Sequence, residues 1–549
     1  MPGFACAAAP AAGLGESERS FDSDSLTTLL DMTRNRLNRT PIWVLFALSA
    51  VAFAVTAIAS QPVPNWPQFR GPNSQGVAEN AKPPVVFGPD KALLWKTTLP
   101  AGVSSPCIWG DRIFVTAFDA ERKQLETICL DRKTGKVLWR KDAPAHAIQE
   151  VHEISSPANT TPATDGRIVC VYFASFGLVA YDFDGAVKWS KPLDTPNLFW
   201  GGGASPALIE GMVVLKVSRG DDSHLLALRP ETGEEVWKAA NAVFNDGWAT
   251  PITWKENGCG RVGVFTMDGF LAHDLRTGTN VWRLSGTPPQ ASGTPAVGNG
   301  MLYFSAAGIL GGTHTVTQPP PFQQLIERYD RNKDGFLGTD ELTDDFLLVD
   351  RGGSRGTGTM PMMTGNMPWK VFVGPDKDGK PRTFAKAEWE AEVTRMFDSF
   401  KEGEKGLKSA VFAVPAGGSG DVTNEVAWTD SRGVPEVPSP LFYQGRLYFV
   451  RNGGLLACRD PQTGKPLYDE RVGAEGGYYA SPVAADGRIY VASDRGVITI
   501  LKAGDRFALL NRSELKETIM ATPAIVDNNL YVRSAKHIWA FGEGVTSKR

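Results

Sequence analysis

Cysteine is scarce and scattered in this chain of 549 residues: Cys6, Cys107, Cys129, Cys170, Cys259 and Cys458 include no Cys-x-x-Cys and no adjacent pair. That argues against a zinc site, a thioredoxin-type motif and a disulfide scaffold, and no Cys-x-x-Cys-His is present for an attached haem. An excess of either charge is missing too. With 57 Lys and Arg against 60 Asp and Glu, the net charge of -3 sets up no field for nucleic acid or an anionic surface. Charged residues make up only 21% of the chain and hydrophobic ones 42%, which excludes disorder and coiled coil. What is abundant is Gly (58), Pro (38) and Trp (15), a composition that points to many short strands and tight turns.

The amino end reads as an export signal. Arg34, Arg36 and Arg39 precede an apolar run from Trp43 to Val55, and Ala57-Ile58-Ala59 follows with the small-x-small pattern of a cleavage site. Residues 1–59 are therefore expected to be a signal region, with Met32 as the true start and cleavage after Ala59. The product is then extracytoplasmic, periplasmic or secreted, with no stable membrane insertion. The alternative is a retained anchor over residues 41–60, which is about long enough to span a bilayer.

Beyond a lead-in at 60–92, internal repeats dominate. A Ser/Thr-Pro dipeptide recurs at Ser105, Thr161, Ser205, Thr250, Thr294, Ser439, Ser481 and Thr522, with successive prolines 56, 44, 45, 44, 145, 42 and 41 residues apart. After each dipeptide come a turn and a β-branched or aromatic run such as RIFV at 112 or RLYFV at 446. Then follow a Gly-containing turn and an aromatic: LDRKTGKVLW to Trp139, YDFDGAVKW to Trp189, LRPETGEEVW to Trp237, HDLRTGTNVW to Trp282 and RDPQTGKPLY to Tyr468. The glycine suits a turn that needs positive φ, and the aromatic suits the seam between neighbouring sheets. Four strands per roughly 44 residues is a propeller blade. Eight units predict an all-β, eight-bladed β-propeller, over residues 93–310 and 409–542 with a tail at 543–549. The eighth unit runs short of a fourth strand, and Leu93-Leu94-Trp95-Lys96-Thr97 is expected to supply it and close the ring.

These repeats, with NWPQFRGPNSQGV at 65–77 and GGLLACRDPQTGKPLYDERV at 453–472, resemble the pyrroloquinoline-quinone-type repeat of a large bacterial family of exported, quinoprotein-like propellers. The resemblance covers about residues 65–310 and 408–542. It implies the fold strongly and the chemistry weakly, because such blades serve quinone-dependent dehydrogenases and non-catalytic assembly scaffolds alike.

Blade five is interrupted by an insertion at 311–408 in which the period changes. FQQLIERY at 322–329 and the run around Leu342 to Leu348 read as helices, flanking DRNKDGFLGTDE at 330–341, an EF-hand calcium loop. Asp330, Asn332 and Asp334 offer hard oxygens at positions 1, 3 and 5; Gly335 allows the turn at 6; Phe336 offers its carbonyl at 7; Glu341 closes the loop at 12. Gly338 at 9 leaves its place to water. A second, ion-free hand is expected to pair with it through Phe384 and Glu388, spaced as positions 8 and 12. The DKDG at 376–379 is discounted because its twelfth place is Ala385.

Residues just before each Ser/Thr-Pro line the mouth of the central channel and are candidates for binding a ligand or cofactor: His152, Glu153, Trp200 with Gly201 to Gly203, Trp248, and Tyr478 with Tyr479. The same Trp and Gly residues also suit blade-to-blade packing, and no distance ties His152-Glu153 to Asp221-Asp222 as a metal or acid-base pair. No catalytic residue is assigned. The favoured reading is a non-catalytic binding or scaffold protein with calcium in one EF-hand and a protein or small-molecule ligand at the mouth. The alternative, a quinone-dependent dehydrogenase, would from the resemblance call for an aromatic platform, an acidic base and a calcium ion on the cofactor; against it, vicinal cysteines like those under the cofactor in alcohol-oxidising members are absent.

Overall fold

In a computed structural model the described residues are 65–543, apart from 153–154, 195–200, 219–222, 241–247, 267–268, 289–291, 308–314, 317, 344–345, 351–366, 375–379 and 406–408. The signal region therefore lies outside them, as do Glu153, Trp200, Asp221 and Asp222. The chain from Pro64 onward forms one compact unit.

Eight sheets make an eight-bladed β-propeller, all antiparallel except that blade four carries a fifth, parallel strand, Gly420–Asp421, on its outer edge. Blade one runs Cys107–Trp109, Arg112–Asp119, Gln124–Asp131 and Val137–Asp142, and the same up-down order repeats through blade seven, which ends at Leu509–Glu514. Blade eight takes Ala524–Val526, Asn529–Arg533 and His537–Phe541 from the end of the chain and its outermost strand, Leu93–Thr98, from near the beginning. Leu93 pairs with Phe541 and Thr98 with His537, so the outer edge of the last blade is covered.

At five seams the aromatic of one blade is bonded to the Gly turn of the next, while the Trp282 indole N–H makes no such bond. The Trp95 indole donates to the Arg132 carbonyl (2.9 Å), Trp139 to Phe183 (2.9 Å), Trp189 to Pro230 (2.7 Å), Trp237 to Leu275 (3.0 Å) and Trp428 to Pro461 (3.0 Å). In each case the acceptor belongs to the next blade's turn, and that turn's glycine lies under the ring. At Gly233, with φ +73°, a Cβ would stand 2.6 Å from Trp189. A β-bulge recurs immediately before the aromatic. Cys129 faces Trp139 while Leu130 faces Val137, which leaves Leu138 unmatched, and the same slip recurs in blades two, three, four, six and seven. The extra residue turns the aromatic onto the seam and sends Leu138, Val236 and Leu510 outward to solvent.

The insertion leaves blade five between Met301–Ala306 and Ala410–Pro415. It contains the helices Phe322–Tyr329, Trp369–Val373 and Lys386–Lys405, and a core of its own in which Leu325, Tyr329, Leu337, Trp369, Phe384 and Trp389 are buried together. The helix expected around Leu342 to Leu348 is not formed: Leu347–Asp350 is a strand between Thr315–Val316 and Met367–Pro368. So short a run cannot nucleate a helix unaided, and two partner strands satisfy its backbone groups instead.

Candidate functional site

The innermost strand of a blade has no further strand to pair with on the channel side, so its backbone donors need another acceptor. The Ser/Thr-Pro repeat answers this. Proline has no N–H, and the preceding Ser or Thr N–H donates to the hydroxyl of the next blade's Ser or Thr. The chain of bonds runs Ser105 to Thr161 (3.0 Å), Thr161 to Ser205 (2.9 Å), Ser205 to Thr250 (3.2 Å) and Thr250 to Thr294 (3.2 Å). It continues from Thr294 to Ser439, Ser439 to Ser481 and Ser481 to Thr522, each at 3.0 Å. All eight residues are buried, and together they form a belt of hydroxyls around the axis.

One end of the ring is crossed by the lead-in segment. Trp66 pairs with Ile108 of blade one, Gln68 Oε1 accepts the Leu208 N–H of blade three (2.9 Å), Gln75 Oε1 accepts the Val297 N–H of blade five (2.8 Å), and Val77 pairs with Ala484 of blade seven. Arg70, fully buried at the middle of this strap, donates to the carbonyls of Pro440 (2.6 Å), Gln75 (3.2 Å) and Thr294 (3.4 Å). Burial lowers its guanidinium to about 9. The turns that let the strap fold back are built on positive φ at Gly71 and Gly76, where at Gly71 a Cβ would lie 2.5 Å from the Trp66 ring.

The opposite end carries the residues that precede each Ser/Thr-Pro. Trp248 donates its indole N–H to the Gly201 carbonyl (2.8 Å), and a Cβ on Gly203 would be 2.7 Å from its ring, so the Gly201–Gly203 run serves as the bed of Trp248. Tyr478 is buried, with its hydroxyl donating to the Ala474 carbonyl (3.0 Å) and its N–H to Asn452 Oδ1 (2.7 Å); Tyr479 beside it is 9% exposed. His152 is half-buried and lines a cavity of about 790 Å³ formed by the loops ahead of blades one, two and eight. Trp248 and Tyr479 do not line it. The structure thus separates the mouth residues instead of converging them on one point.

Two residues absent from the sequence-based set, Arg70 and Arg533, are buried cations, one toward each end of the ring; Lys216 is buried at the matching strand position of blade three. Arg533 lies in the wall of the His152 cavity. The signal available for it was a charged residue closing an otherwise apolar strand, NLYVR, at 529–533.

In the insertion, the loop Asp330–Glu341 is tied by its own side chains. Asp330 accepts the N–H groups of Asp334 (3.2 Å) and Gly335 (2.9 Å), Asn332 Oδ1 accepts that of Asp334 (2.9 Å), and Asp334 accepts that of Phe336 (2.8 Å). Gly335 has φ +81°. Leu337 pairs with Phe384 and Gly338 with Thr383, which joins the loop to the chain leading into Lys386–Lys405. Glu341, 6% exposed, accepts from the backbone of Arg331 (2.9 Å), Asn332 (3.3 Å) and Gly338 (2.9 Å). With Glu341 so engaged, no three His, Cys, Asp or Glu side chains among the described residues converge closely enough to hold a metal as they stand. The remaining donors, two carboxylates and an amide oxygen at alternate positions, are hard oxygens of the kind calcium takes.

Blade count, seam tryptophans and the belt of hydroxyls define the class: the chain is a β-propeller of pyrroloquinoline-quinone-type repeats. The family model described as "Outer membrane protein assembly factor BamB" matches residues 85–198, from just ahead of the closing strand to just past blade two. Outer membrane protein assembly factor BamB of Yersinia pestis is 28% identical over an alignment of 254 positions, taking in 36% of this chain and 61% of the relative. The chain thus spans about three fifths of the length of that curated relative. Among solved structures, BamB from Moraxella catarrhalis superposes with a TM-score of 0.47 at 14% identity, covering 82% of this chain and 99% of that one. A europium-containing methanol dehydrogenase gives 0.49 at 11% (88% and 99%), and the quinohemoprotein alcohol dehydrogenase of Comamonas testosteroni 0.49 at 12% (90% and 83%). Superpositions this loose carry no functional weight. No helix among the described residues is long and apolar enough to cross a membrane.

Proposed function

We propose that this chain is an exported, non-catalytic binding or scaffold propeller that receives a protein partner at its open end, with one calcium ion held by its insertion. The observation that carries this reading is the strap of residues 65–77, which covers one end of the ring and leaves the loop-lined end, with its cavity, as the approach to the axis. The likeness of residues 85–198 to an assembly factor supports a protein partner, and the export signal read from residues 32–59 supports an extracytoplasmic site. Calcium would be held by Asp330, Asn332, Asp334, the Phe336 carbonyl and Glu341; the hydrogen-bonded loop and the positive φ at Gly335 support that assignment. Glu341 would exchange backbone amides for the ion.

Reconstitution with pyrroloquinoline quinone and calcium tests the catalytic alternative. The expected result is no retained quinone in the absorbance spectrum or the native mass, and no alcohol-dependent dye reduction. Retained quinone with turnover overturns the scaffold reading. A photo-crosslinker at the exposed Glu150, on the open end, is expected to capture an envelope protein in the exporting cell.

A further inference from the structure

The cavity at the open end, about 790 Å³, is within the range of small-molecule sites, and Val103, Phe118, Ile148, Val151 and Met520 make much of its wall apolar. Arg533 interrupts that wall. It ends the second strand of blade eight and is 1% exposed. Its Nε donates to the Gly102 carbonyl and its Nη2 to the Pro100 carbonyl, both at 3.1 Å, while Nη1 is buried without a partner. Asp527, the carboxylate nearest in sequence, is taken by Arg132 (2.6 Å), and Glu517 by His537, by the Ser534 hydroxyl (2.7 Å) and by Lys96. Burial alone lowers the Arg533 guanidinium, to about 10, so it remains a cation at neutral pH. A desolvated cation without an anion is costly, and an anion in the cavity would offset that cost.

We propose that this cavity binds a single carboxylate on an apolar body, with Arg533 as its counter-ion. One buried guanidinium with one uncommitted nitrogen matches a singly charged anion, and the apolar walls match a hydrocarbon or aromatic body. Arg533 lines the cavity, and Nη1 is its one nitrogen not held by the bonds to Gly102 and Pro100. On the rim the exposed Lys123 and Glu150 offset each other in charge, so the pull on an anion rests on Arg533. The proposal takes the open end as the binding end, as the scaffold reading does.

Titration calorimetry on the full mature chain tests it, with 4-phenylbutyrate and acetyl-Ala-Phe as carboxylate probes and their amides as controls. The acids are expected to bind one to one and at least about tenfold more tightly than the amides. Binding by phenylbutyrate alone identifies a free acid as the ligand, and binding by acetyl-Ala-Phe alone identifies a peptide end. Arg533→Lys should weaken binding about tenfold, and Met520→Trp, which fills the cavity and spares the bonds of Arg533, should abolish it with the thermal midpoint unchanged. Equal binding of acids and amides, no binding of any probe, or binding that survives Met520→Trp overturns the proposal. Quinone turnover would sink the scaffold reading without altering this titration, so the two fail separately.

Discussion

The belt of hydroxyls makes a sharp prediction at Thr161. Its hydroxyl accepts the Ser105 N–H at 3.0 Å, and the residue is 2% exposed. Thr161→Val keeps the shape and removes the acceptor, leaving a buried N–H unpaired at a cost of about 1–3 kcal/mol. Thr161→Ser keeps the acceptor and removes one methyl, about 0.8 kcal/mol. Serine already fills the same position at Ser105, Ser205, Ser439 and Ser481, so the hydroxyl is the common requirement. An unfolding entropy of about 2 cal/mol/K per residue makes the thermal shift for a ring of this size only about 1–3 °C, so urea midpoints and amide exchange are the better assays. The valine variant should lose more stability than the serine variant, and the Ser105 amide should exchange faster in it alone. If valine is as stable as serine and the Ser105 amide stays equally protected, the hydroxyl chain is a by-product of packing and the reasoning fails.

Gly233→Ala places a Cβ at φ +73° and 2.6 Å from Trp189, so a loss of about 2–4 kcal/mol in urea unfolding is expected, against about 1–2 kcal/mol at Gly445, where φ is also positive (+69°) but no atom stands within 4 Å of the added Cβ. Deleting residues 61–100 removes both the strap and Leu93–Thr98, and the truncated chain should melt well below the parent with a single broadened transition. At Asp430, burial pushes the carboxyl up, but the hydrogen bonds and charges of Arg432 and Arg459 outweigh it and hold the group below the usual carboxylate range. Its stabilisation is therefore present above about pH 4 and lost as pH falls through the lowered value; urea midpoints between pH 5 and 2.5 should show a shallower acid limb in Asp430→Asn. Calorimetry with calcium should give one site, which Glu341→Gln largely removes.

Periodicity made most of the ring legible. The Ser/Thr-Pro spacing and the Gly-to-Trp turns recur because every seam poses the same packing problem, and the shortfall in the eighth unit pointed to Leu93–Thr98. The purpose of the Ser/Thr was not legible, since its bond partner lies one blade away. The course of residues 65–77 was hidden for a related reason: the segment occurs once, has no period, and its partners are backbone groups on separate blades. Arg533 and His152 come from opposite ends of the chain and meet only through ring closure. Around Leu342 to Leu348 an apolar run was too short to distinguish helix from strand, and distant partner strands decided it.

The closing strand also governs the order in which the molecule can be built. Leu93–Thr98 is synthesised before every blade, yet its partner His537–Phe541 arrives last, so the first strand must wait through the formation of seven sheets. Closing so long a loop makes this docking the slow step of folding. Until it occurs, two complementary edges are open on one chain, and at high concentration the waiting strand of one copy fits the unfilled blade of another. Dilution during refolding should therefore favour the closed monomer over strand-exchanged dimers.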